Sequence, residues 1–226
     1  MFYLFLLAHL VADFLLQPIW LVRRKRRWDG LFIHVGIVLA CMLPIALLVP
    51  APPMIWPAIV LISAVHLAAD RWKICYGDRL FAGPLTPFML DQALHVVTLA
   101  MVLSVCLPAE LTWSLIGVPF VSEAIIAAGY LVAAVAAPIG LIVAFDPTFR
   151  YAALAGQARL RALICCTATV TLALCGGAAV APAALFGLAF VLRRPLSEHP
   201  LDTPLGLTIV LAIAAGLGWG LGMLFT

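Results

Sequence analysis

Charged side chains are scarce in this sequence. Asp, Glu, Lys and Arg make up 10% of its 226 residues, whereas hydrophobic residues make up 65%. A soluble domain carries about a quarter charged residues, because its surface faces water. The shortage of charge therefore excludes an ordinary soluble protein and predicts a surface that mostly faces lipid.

The sequence also lacks the alternating polar and apolar pattern of a membrane β-barrel. Its apolar runs are continuous and about 20 residues long, the length of a helix that crosses a hydrocarbon core roughly 30 Å thick. The first run, 1–22, has no basic segment before it and no small-residue cleavage site, so we expect a permanent span rather than a signal peptide. The predicted fold class is all-α, a polytopic transmembrane helix bundle.

Cysteine motifs are absent as well. The six cysteines lie inside apolar runs without CxxC spacing. We interpret them as small buried hydrophobic residues, and not as disulfides or zinc ligands.

Proline and glycine divide the chain into predicted spans. These are 2–22, 31–50, 55–75, 86–107, 121–145, 160–193 and 204–225. We interpret 160–193 as a hairpin broken at Gly176, Gly177 and Pro182, which gives eight spans, although one long helix would give seven. Together they form a single membrane domain, in which 1–107 is a four-helix unit that carries the candidate site and 108–226 completes the bundle.

The basic residues predict the orientation of these spans. They fall into four clusters, at 23–27, 71–79, 150–161 and 193–194, and the loops 50–54 and 108–120 contain none. Cytoplasmic loops carry an excess of Lys and Arg. We therefore expect a multi-pass protein of the bacterial inner membrane with its N-terminus outside.

The first half of the chain contains a predicted tandem repeat of two helices. Each unit has a helix with the pattern His-x-x-x-Asp, then a basic turn, then a helix that begins with an acid and a histidine. The first unit carries His9, Asp13, Asp29 and His34, and the second carries His66, Asp70, Asp91 and His95. Repeats of this kind, related by an axis along the membrane normal, occur in transporters.

The polar residues of these helices are spaced to lie on one face. Three pairs are four residues apart: His9 with Asp13, His66 with Asp70, and Asp91 with His95. Residues at this spacing share a helix face, and an ionisable group that faces lipid costs several kcal/mol. The stripes must face inward, and since they lie toward the basic loops, we expect one shared site on the cytoplasmic side.

These side chains predict a metal centre. Imidazole nitrogen together with carboxylate oxygen suits zinc, manganese or iron. The proposed ligands are His9, Asp13, His34, His66, Asp70, Asp91 and His95. They exceed the needs of one tetrahedral ion, so we expect a two-metal site that activates water and holds a phosphate.

Further residues complete the predicted site. Asp13 or Asp91, when free of metal, would be the general base of a hydrolytic reaction. The basic turn is expected to attract an anionic lipid headgroup. The proposed substrate contacts are Gln17, Arg24, Lys25, Lys73 and Gln92.

The run Ala8-His-Leu-Val-Ala-Asp-Phe-Leu-Leu-Gln-Pro18, followed by Arg24-Lys25 and His34, resembles an uncharacterised bacterial membrane family catalogued as domain of unknown function 3307. The resemblance continues through His66, Asp70, Lys73, Leu90-Asp91-Gln92 and His95, and it covers roughly the first 100 residues. That family supplies no activity to carry over. The placement of His and Asp on membrane helices is also similar to that of bacterial inner-membrane proteins described as metal-dependent hydrolases, an analogy that implies hydrolysis.

Three functions fit these patterns. The first is a membrane-embedded, metal-dependent hydrolase of a lipid or lipid-linked phosphate at the cytoplasmic leaflet. The second is a proton-coupled or metal-ion transporter, although the outer halves of the helices carry no charge for a path through the bilayer. The third is a non-catalytic subunit or assembly factor, in which the polar stripes only hold helices together. The expected partners are the bilayer, anionic lipid headgroups, and a protein partner or second copy, but no nucleic acid.

Overall fold

The structure, a computed structural model, describes residues 1–81, 83–145, 157–175 and 199–225. These residues form helices joined by short turns, with no strand among them, so the predicted all-α class is confirmed for this part of the chain. The chain divides into two compact units, Met1–Ala128 and Gly129–Thr226. The predicted division at 107/108, drawn within a single membrane domain, stays a prediction.

The first unit contains three long helices and several short ones. They are α1 (Phe2–Leu10) with a π-helical turn at Val11–Leu15, α2 (Ile19–Arg24), α3 (Trp28–Leu48), α4 (Ile55–Leu80), α5 (Leu85–Cys106) and the short α6 (Ala109–Trp113). Helix α4 packs against both α3 and α5, and α1 packs against the same two helices. The inner faces of α1, α3, α4 and α5 therefore enclose a common interior.

The first predicted span, 2–22, is interrupted. The π turn ends at Leu15, and Pro18 is the N-cap residue of α2, with φ −67° and ψ 159°. Proline has no N–H group with which to continue a helix. The segment is therefore two helices, of which α2 ends at the basic turn.

A close approach between α2 and α3 fixes that basic turn. A Cβ atom on Gly30 would lie 2.3 Å from the carbonyl oxygen of Arg24, so a larger residue would push the two helices apart. The chain turns sharply beyond Arg24, and Lys25 points into the unit, where it is 8% exposed.

Among the described residues, four helices are long and apolar enough to cross a membrane: Trp28–Leu48, Leu85–Cys106, Val121–Phe145 and Pro204–Phe225. The last three match the predicted spans 86–107, 121–145 and 204–225 to within one residue. Helix α4, with 26 residues, is long enough to cross as well, but its inward face is polar. These features are those of a helical membrane protein.

In the second unit, small residues allow two helices to pack closely. It contains the end of α7 (Val121–Leu131), a π-helical turn at Val132–Ala136, α8 (Ala137–Phe145), α9 (Gln157–Leu174), a 3-10 turn at Pro200–Asp202 and α10 (Pro204–Phe225). A Cβ atom on Gly218 would lie 2.6 Å from the Val170 carbonyl oxygen, so α9 and α10 meet backbone to backbone. Arg161 forms an ion pair with Asp202.

The predicted hairpin within 160–193 is described only in its first part. Helix α9 ends at Leu174. The predicted break at Gly176, Gly177 and Pro182 lies outside the described residues, as do Arg193 and Arg194.

Candidate metal centre

The seven predicted ligands converge inside the first unit. They come from α1 and its π turn (His9 and Asp13), α3 (His34), α4 (His66 and Asp70) and α5 (Asp91 and His95). None is more than 9% exposed. The two predicted repeat units therefore contribute to one buried cluster, hereafter the polar cluster.

Asp13 lies in the π-helical turn of the first helix. This turn, Val11–Leu15, winds more widely than an α-helix, and such turns are frequent at functional sites. Asp13 Oδ2 lies 4.0 Å from His9 Nε2, and Asp13 Oδ1 lies 3.2 Å from His34 Nε2 on α3. The Asp13 carboxylate thus stands between the two histidines of the first repeat unit.

Four atoms at the middle of the polar cluster form a cage. His34 Nε2 and His66 Nε2 are 2.9 Å apart. Asp13 Oδ1 lies 3.2 Å from the first nitrogen and 3.7 Å from the second. Asp70 Oδ2 lies 3.5 Å and 3.6 Å from the same two nitrogens. We refer to these four atoms as the inner cage.

The distances around the two histidine nitrogens fit the ligands of one metal ion. Ligand atoms bound to zinc at 2.0–2.1 Å in a tetrahedron are separated from one another by about 3.3 Å. The five distances that involve His34 Nε2 or His66 Nε2 run from 2.9 to 3.7 Å, and one ligand atom each of His34, His66 and Asp70 lies within 4.8 Å of the others. A cation held there would contact two imidazole nitrogens and a carboxylate oxygen, donors that zinc binds.

One carboxylate oxygen of the cage has no hydrogen-bond partner. Asp13 Oδ1 is buried without one, whereas Asp70 Oδ2 forms an ion pair with Lys25. A buried polar atom without a partner costs free energy. A bound cation would compensate Asp13 Oδ1 directly, so the residues present fit a metal.

Further donors flank the inner cage. Buried His9 Nε2, His95 Nε2 and Asp91 Oδ1 have no hydrogen-bond partner. The His95 ring lies 4.0 Å from the His66 ring and stacks on His9 at 5.0 Å, measured between centroids. Ligand atoms of Asp70, Asp91 and His95 lie within 4.8 Å of one another. The cluster therefore has donors left over for a second ion.

The tautomer of His95 favours metal binding. Its Nδ1 lies 2.6 Å from the backbone carbonyl oxygen of Asp91. Since a carbonyl oxygen only accepts, Nδ1 carries the proton and donates, and Nε2 keeps its lone pair. Histidine ligands of metal ions are commonly held in this way by a hydrogen bond from the other ring nitrogen.

Two lysines balance part of the negative charge. Lys25 Nζ lies 2.7 Å from Asp70 Oδ2, and Lys73 Nζ lies 2.7 Å from Asp91 Oδ2. The Lys25 side chain is 11% exposed and that of Lys73 is 31% exposed. Lys73 thus stands at the edge of the polar cluster, and Lys25 is enclosed within it.

Two glutamines connect the lysines and carboxylates. Gln92 Nε2 donates to Asp91 Oδ2 at 3.3 Å and lies 3.5 Å from Asp13 Oδ2. With the Gln17 amide oriented to satisfy both neighbours, its nitrogen donates to the Asp13 carbonyl oxygen at 3.0 Å and its oxygen accepts from Lys25 at 2.6 Å. Four of the five predicted substrate contacts therefore adjoin the cluster.

Arg24 lies elsewhere. Its guanidinium nitrogen is 2.6 Å from Asp29 Oδ2, and its side chain is 51% exposed. Asp29 also pairs with Arg27 at 3.4 Å. The acid of the first repeat unit is therefore part of a surface ion-pair network, whereas its counterpart Asp91 lies in the polar cluster.

One buried hydroxyl on α4 was missed by the sequence analysis. Ser63 is 7% exposed and its Oγ has no hydrogen-bond partner. It precedes His66 by three residues and Asp70 by seven, the spacing of one helix face. That spacing was the signal that could have added it to the polar stripe.

The fold and the polar cluster define a class, that of helical membrane proteins with a buried His and Asp centre suited to a metal. Within that class, the model of the family described as "Protein of unknown function (DUF3307)" matches residues 1–120, more than half of the chain, and the chain belongs to this family. No curated protein and no solved structure matches it. The matched residues contain the whole polar cluster.

Proposed function

We propose that this chain is a membrane-embedded, metal-dependent hydrolase that acts on a lipid or lipid-linked phosphate at the cytoplasmic leaflet. The inner cage is the observation that carries the proposal. Each of its two carboxylate oxygens lies 3.2–3.7 Å from the two imidazole nitrogens, which is the spacing of ligands on one metal ion. Buried carboxylates are costly in a protein interior unless cations compensate them.

The donor set favours zinc in the inner cage, with manganese or iron as the other candidates. His9 and His95 would contribute nitrogen ligands to a second ion beside it. When bound, such ions lower the pKa of a water molecule and polarise the phosphoryl group. A separation of about 4 Å between two ions would suit a phosphate.

The charge balance of the polar cluster supports an anionic substrate. Its three aspartates, Asp13, Asp70 and Asp91, outnumber its two lysines by one. One divalent cation would therefore leave a net positive charge in a buried setting. A phosphate group would compensate that charge, and Lys73 and Gln92, at the edge of the cluster, would contact it.

Asp91 is the better placed of the two predicted general bases. Its Oδ1 has no hydrogen-bond partner, while its Oδ2 is held by Lys73. Asp13 Oδ1, in contrast, belongs to the inner cage. We therefore assign Asp91 to accept the proton of the attacking water, and Asp13 to bind metal.

The proposal includes a membrane topology. Seven or eight spans, with the N-terminus outside, would place the polar cluster near the cytoplasmic surface of a bacterial inner membrane. The outward-facing Arg24 and Arg27 beside the cluster support this orientation. The convergence of both His-x-x-x-Asp pairs supports the tandem repeat, and the different positions of Asp29 and Asp91 mark its divergence.

A proton-coupled carrier is the second candidate. One contact favours it, the 2.9 Å approach of His34 Nε2 to His66 Nε2. Two neutral imidazoles at this distance can share a proton, and chains of His and Asp carry protons in membrane proteins. A pH gradient that drives solute uptake into sealed vesicles would favour the carrier over the hydrolase.

Elemental analysis of detergent-purified protein tests the metal centre. We expect one or two equivalents of zinc, manganese or iron in the wild type, and loss of metal in His66→Ala and Asp70→Ala. Glu110→Gln, which changes an exposed acid on α6, is the control and should keep its metal. A well-folded wild type that holds no metal after incubation with each ion would refute the proposal.

Activity is tested separately on lipid phosphates in mixed micelles. The loaded wild type should release phosphate, and Lys73→Ala should keep its metal but lose most activity. Metal without phosphate release from any lipid phosphate would leave a metal centre with another chemistry and refute the hydrolase.

A further inference from the structure

A groove lies on the surface of α4, apart from the polar cluster. Its volume is about 600 Å³, and its walls come from α4 and from Trp28 at the start of α3. None of the seven cluster residues lines it. The groove therefore has no part in the proposed metal chemistry.

The groove has a cationic end. The Arg71 guanidinium carbon lies 4.6 Å from the centre of the Trp28 ring, a cation–π contact. Trp28 in turn stacks on Phe32 at 5.9 Å between centroids, which fixes the ring. No acidic side chain of the described residues pairs with Arg71, so its charge is available to an anion.

The other end of the groove is apolar. Ala64, Leu67 and Ala68 line it, one to two helical turns before Arg71. Seven residues of α-helix, from Ala64 to Arg71, span about 10 Å. The side chains at this end are small or apolar, so a hydrocarbon chain would meet no polar side chain there.

Aromatic side chains surround the cationic end. Trp28 is 52% exposed, Trp72 39% and Tyr76 49%. Tryptophan and tyrosine are enriched at the level of the lipid headgroups, where an amphipathic ring contacts both water and hydrocarbon. Arg71 therefore lies at headgroup depth, and the alanines lie deeper toward the hydrocarbon core.

We infer that this groove is a binding site for an anionic phospholipid. The headgroup phosphate pairs with Arg71 on the Trp28 ring, and one acyl chain lies along Ala64, Leu67 and Ala68. Charge complementarity selects an anionic lipid, because a zwitterionic lipid brings its own cation to the same place. The site is independent of the metal centre and of the proposed hydrolase activity.

Native mass spectrometry of the full chain tests the inference. Detergent-solubilised protein is titrated with an equimolar mixture of phosphatidylglycerol and phosphatidylcholine. The wild type should retain phosphatidylglycerol preferentially, and Arg71→Gln should weaken its binding about fivefold, the effect expected for one basic residue near a membrane surface. Trp28→Leu should weaken this binding as well, since Arg71 loses its cation–π contact with the Trp28 ring.

The matched control is Arg159→Gln, which removes the same charge from α9 in the second unit. It should leave phosphatidylglycerol binding unchanged. Equal binding by wild type and Arg71→Gln, or an equal loss in Arg159→Gln, would overturn the site. If Arg71→Gln does not fold, Trp28→Leu decides, because Trp28 is half exposed. A dimer that dissociates in Trp28→Leu, with no lipid bound, would assign the groove to a second copy and also overturn the inference.

Discussion

The two units of this protein bury different kinds of side chain. In the described part of the first unit, the buried residues include four histidines, three aspartates and a lysine, most of them in the polar cluster. In the described part of the second unit, the buried polar residues are Thr169, His199 and Asp202. There, helices approach through glycine, as at Gly218 against Val170.

This difference indicates that the first unit carries the functional site and that the second unit has a structural role. Close contact between small residues is the ordinary way in which membrane helices pack, and it needs no charge. A group of buried ionisable residues is expensive in the same environment and is maintained only where other charges compensate it. We therefore expect changes in the first unit to alter ligand binding, and changes in the second to alter stability alone.

Two buried histidines, one in each unit, give the sharpest test of this comparison. His34→Ala removes a nitrogen of the inner cage, and we expect zinc affinity to fall by at least about 100-fold, as for loss of a metal-site group. His199 instead caps a 3-10 turn, where its Nδ1 accepts from the Leu201 N–H at 3.2 Å. His199→Ala should keep zinc affinity while it lowers the free energy of unfolding by about 0.5–2 kcal/mol.

Zinc competition with a fluorescent chelator measures the affinities, and thermal unfolding in detergent measures the stabilities. Equal zinc affinities of His34→Ala and His199→Ala would remove the distinction between the units. So would a wild-type affinity too weak to measure.

A second test concerns charge compensation in the first unit. Lys25→Met deletes the cation beside Asp70 but keeps the apolar stem. Removing one partner of a buried ion pair typically costs about 3–5 kcal/mol, so we expect a loss of this size in the presence of chelator. Saturating zinc should reduce the loss, because the bound ion would take over the charge of Asp70.

Chemical unfolding with and without zinc gives both values. A loss that is the same in both conditions would mean that Lys25 and the metal do not share Asp70. The inner cage would then need another explanation.

The polar cluster itself was accessible to sequence reasoning. His9 with Asp13 and His66 with Asp70 recur at a spacing of four residues in apolar runs, and lipid leaves such stripes no direction but inward. Helix bounds such as Leu85–Cys106 followed from hydropathy for the same reason. The helix bounds and the inward polar stripes could be predicted because lipid excludes polar groups that a protein interior can accommodate.

The directions in which single side chains of the basic turn point could not be predicted from the sequence. Arg24 and Lys25 are neighbours in a run of five basic residues, yet Arg24 lies at the surface and Lys25 inside. The turn brings the Arg24 carbonyl close to Gly30 on α3, and nothing in the run of basic residues indicates which of its side chains lies inside. The break before Pro18, in contrast, had a local signal, because proline has no N–H with which to continue a helix.

Paired glycine substitutions test the scaffold role of the second unit. Gly218→Ala places a methyl group 2.6 Å from the Val170 carbonyl oxygen, so α9 and α10 must separate; we expect a loss of about 1–3 kcal/mol. Gly216, on the same helix, has nothing within 4 Å of its Cβ position. Gly216→Ala should therefore stabilise the protein by about 0.5–1 kcal/mol through helix propensity.

Both glycine variants should bind zinc as the wild type does, because the two glycines belong to the second unit and the polar cluster belongs to the first. Thermal unfolding in detergent and zinc competition on the same samples provide the readouts. If Gly218→Ala stabilised the protein, or if either variant bound zinc more weakly, the second unit would not be purely structural.

The smallest effect is expected at the surface of the first unit. Arg24 forms an ion pair with Asp29 at 2.6 Å, and half of the Arg24 side chain is exposed. Exposed ion pairs contribute little to stability, since water and salt screen them. Arg24→Ala should therefore leave both the free energy of unfolding and the zinc affinity close to the wild-type values. Arg24→Ala could instead match Lys25→Met in stability or in metal binding. The charge of the basic turn would then act through its net potential, and not through the individual contact of Lys25 with Asp70. In that case burial would no longer explain why Lys25 belongs to the polar cluster and Arg24 does not.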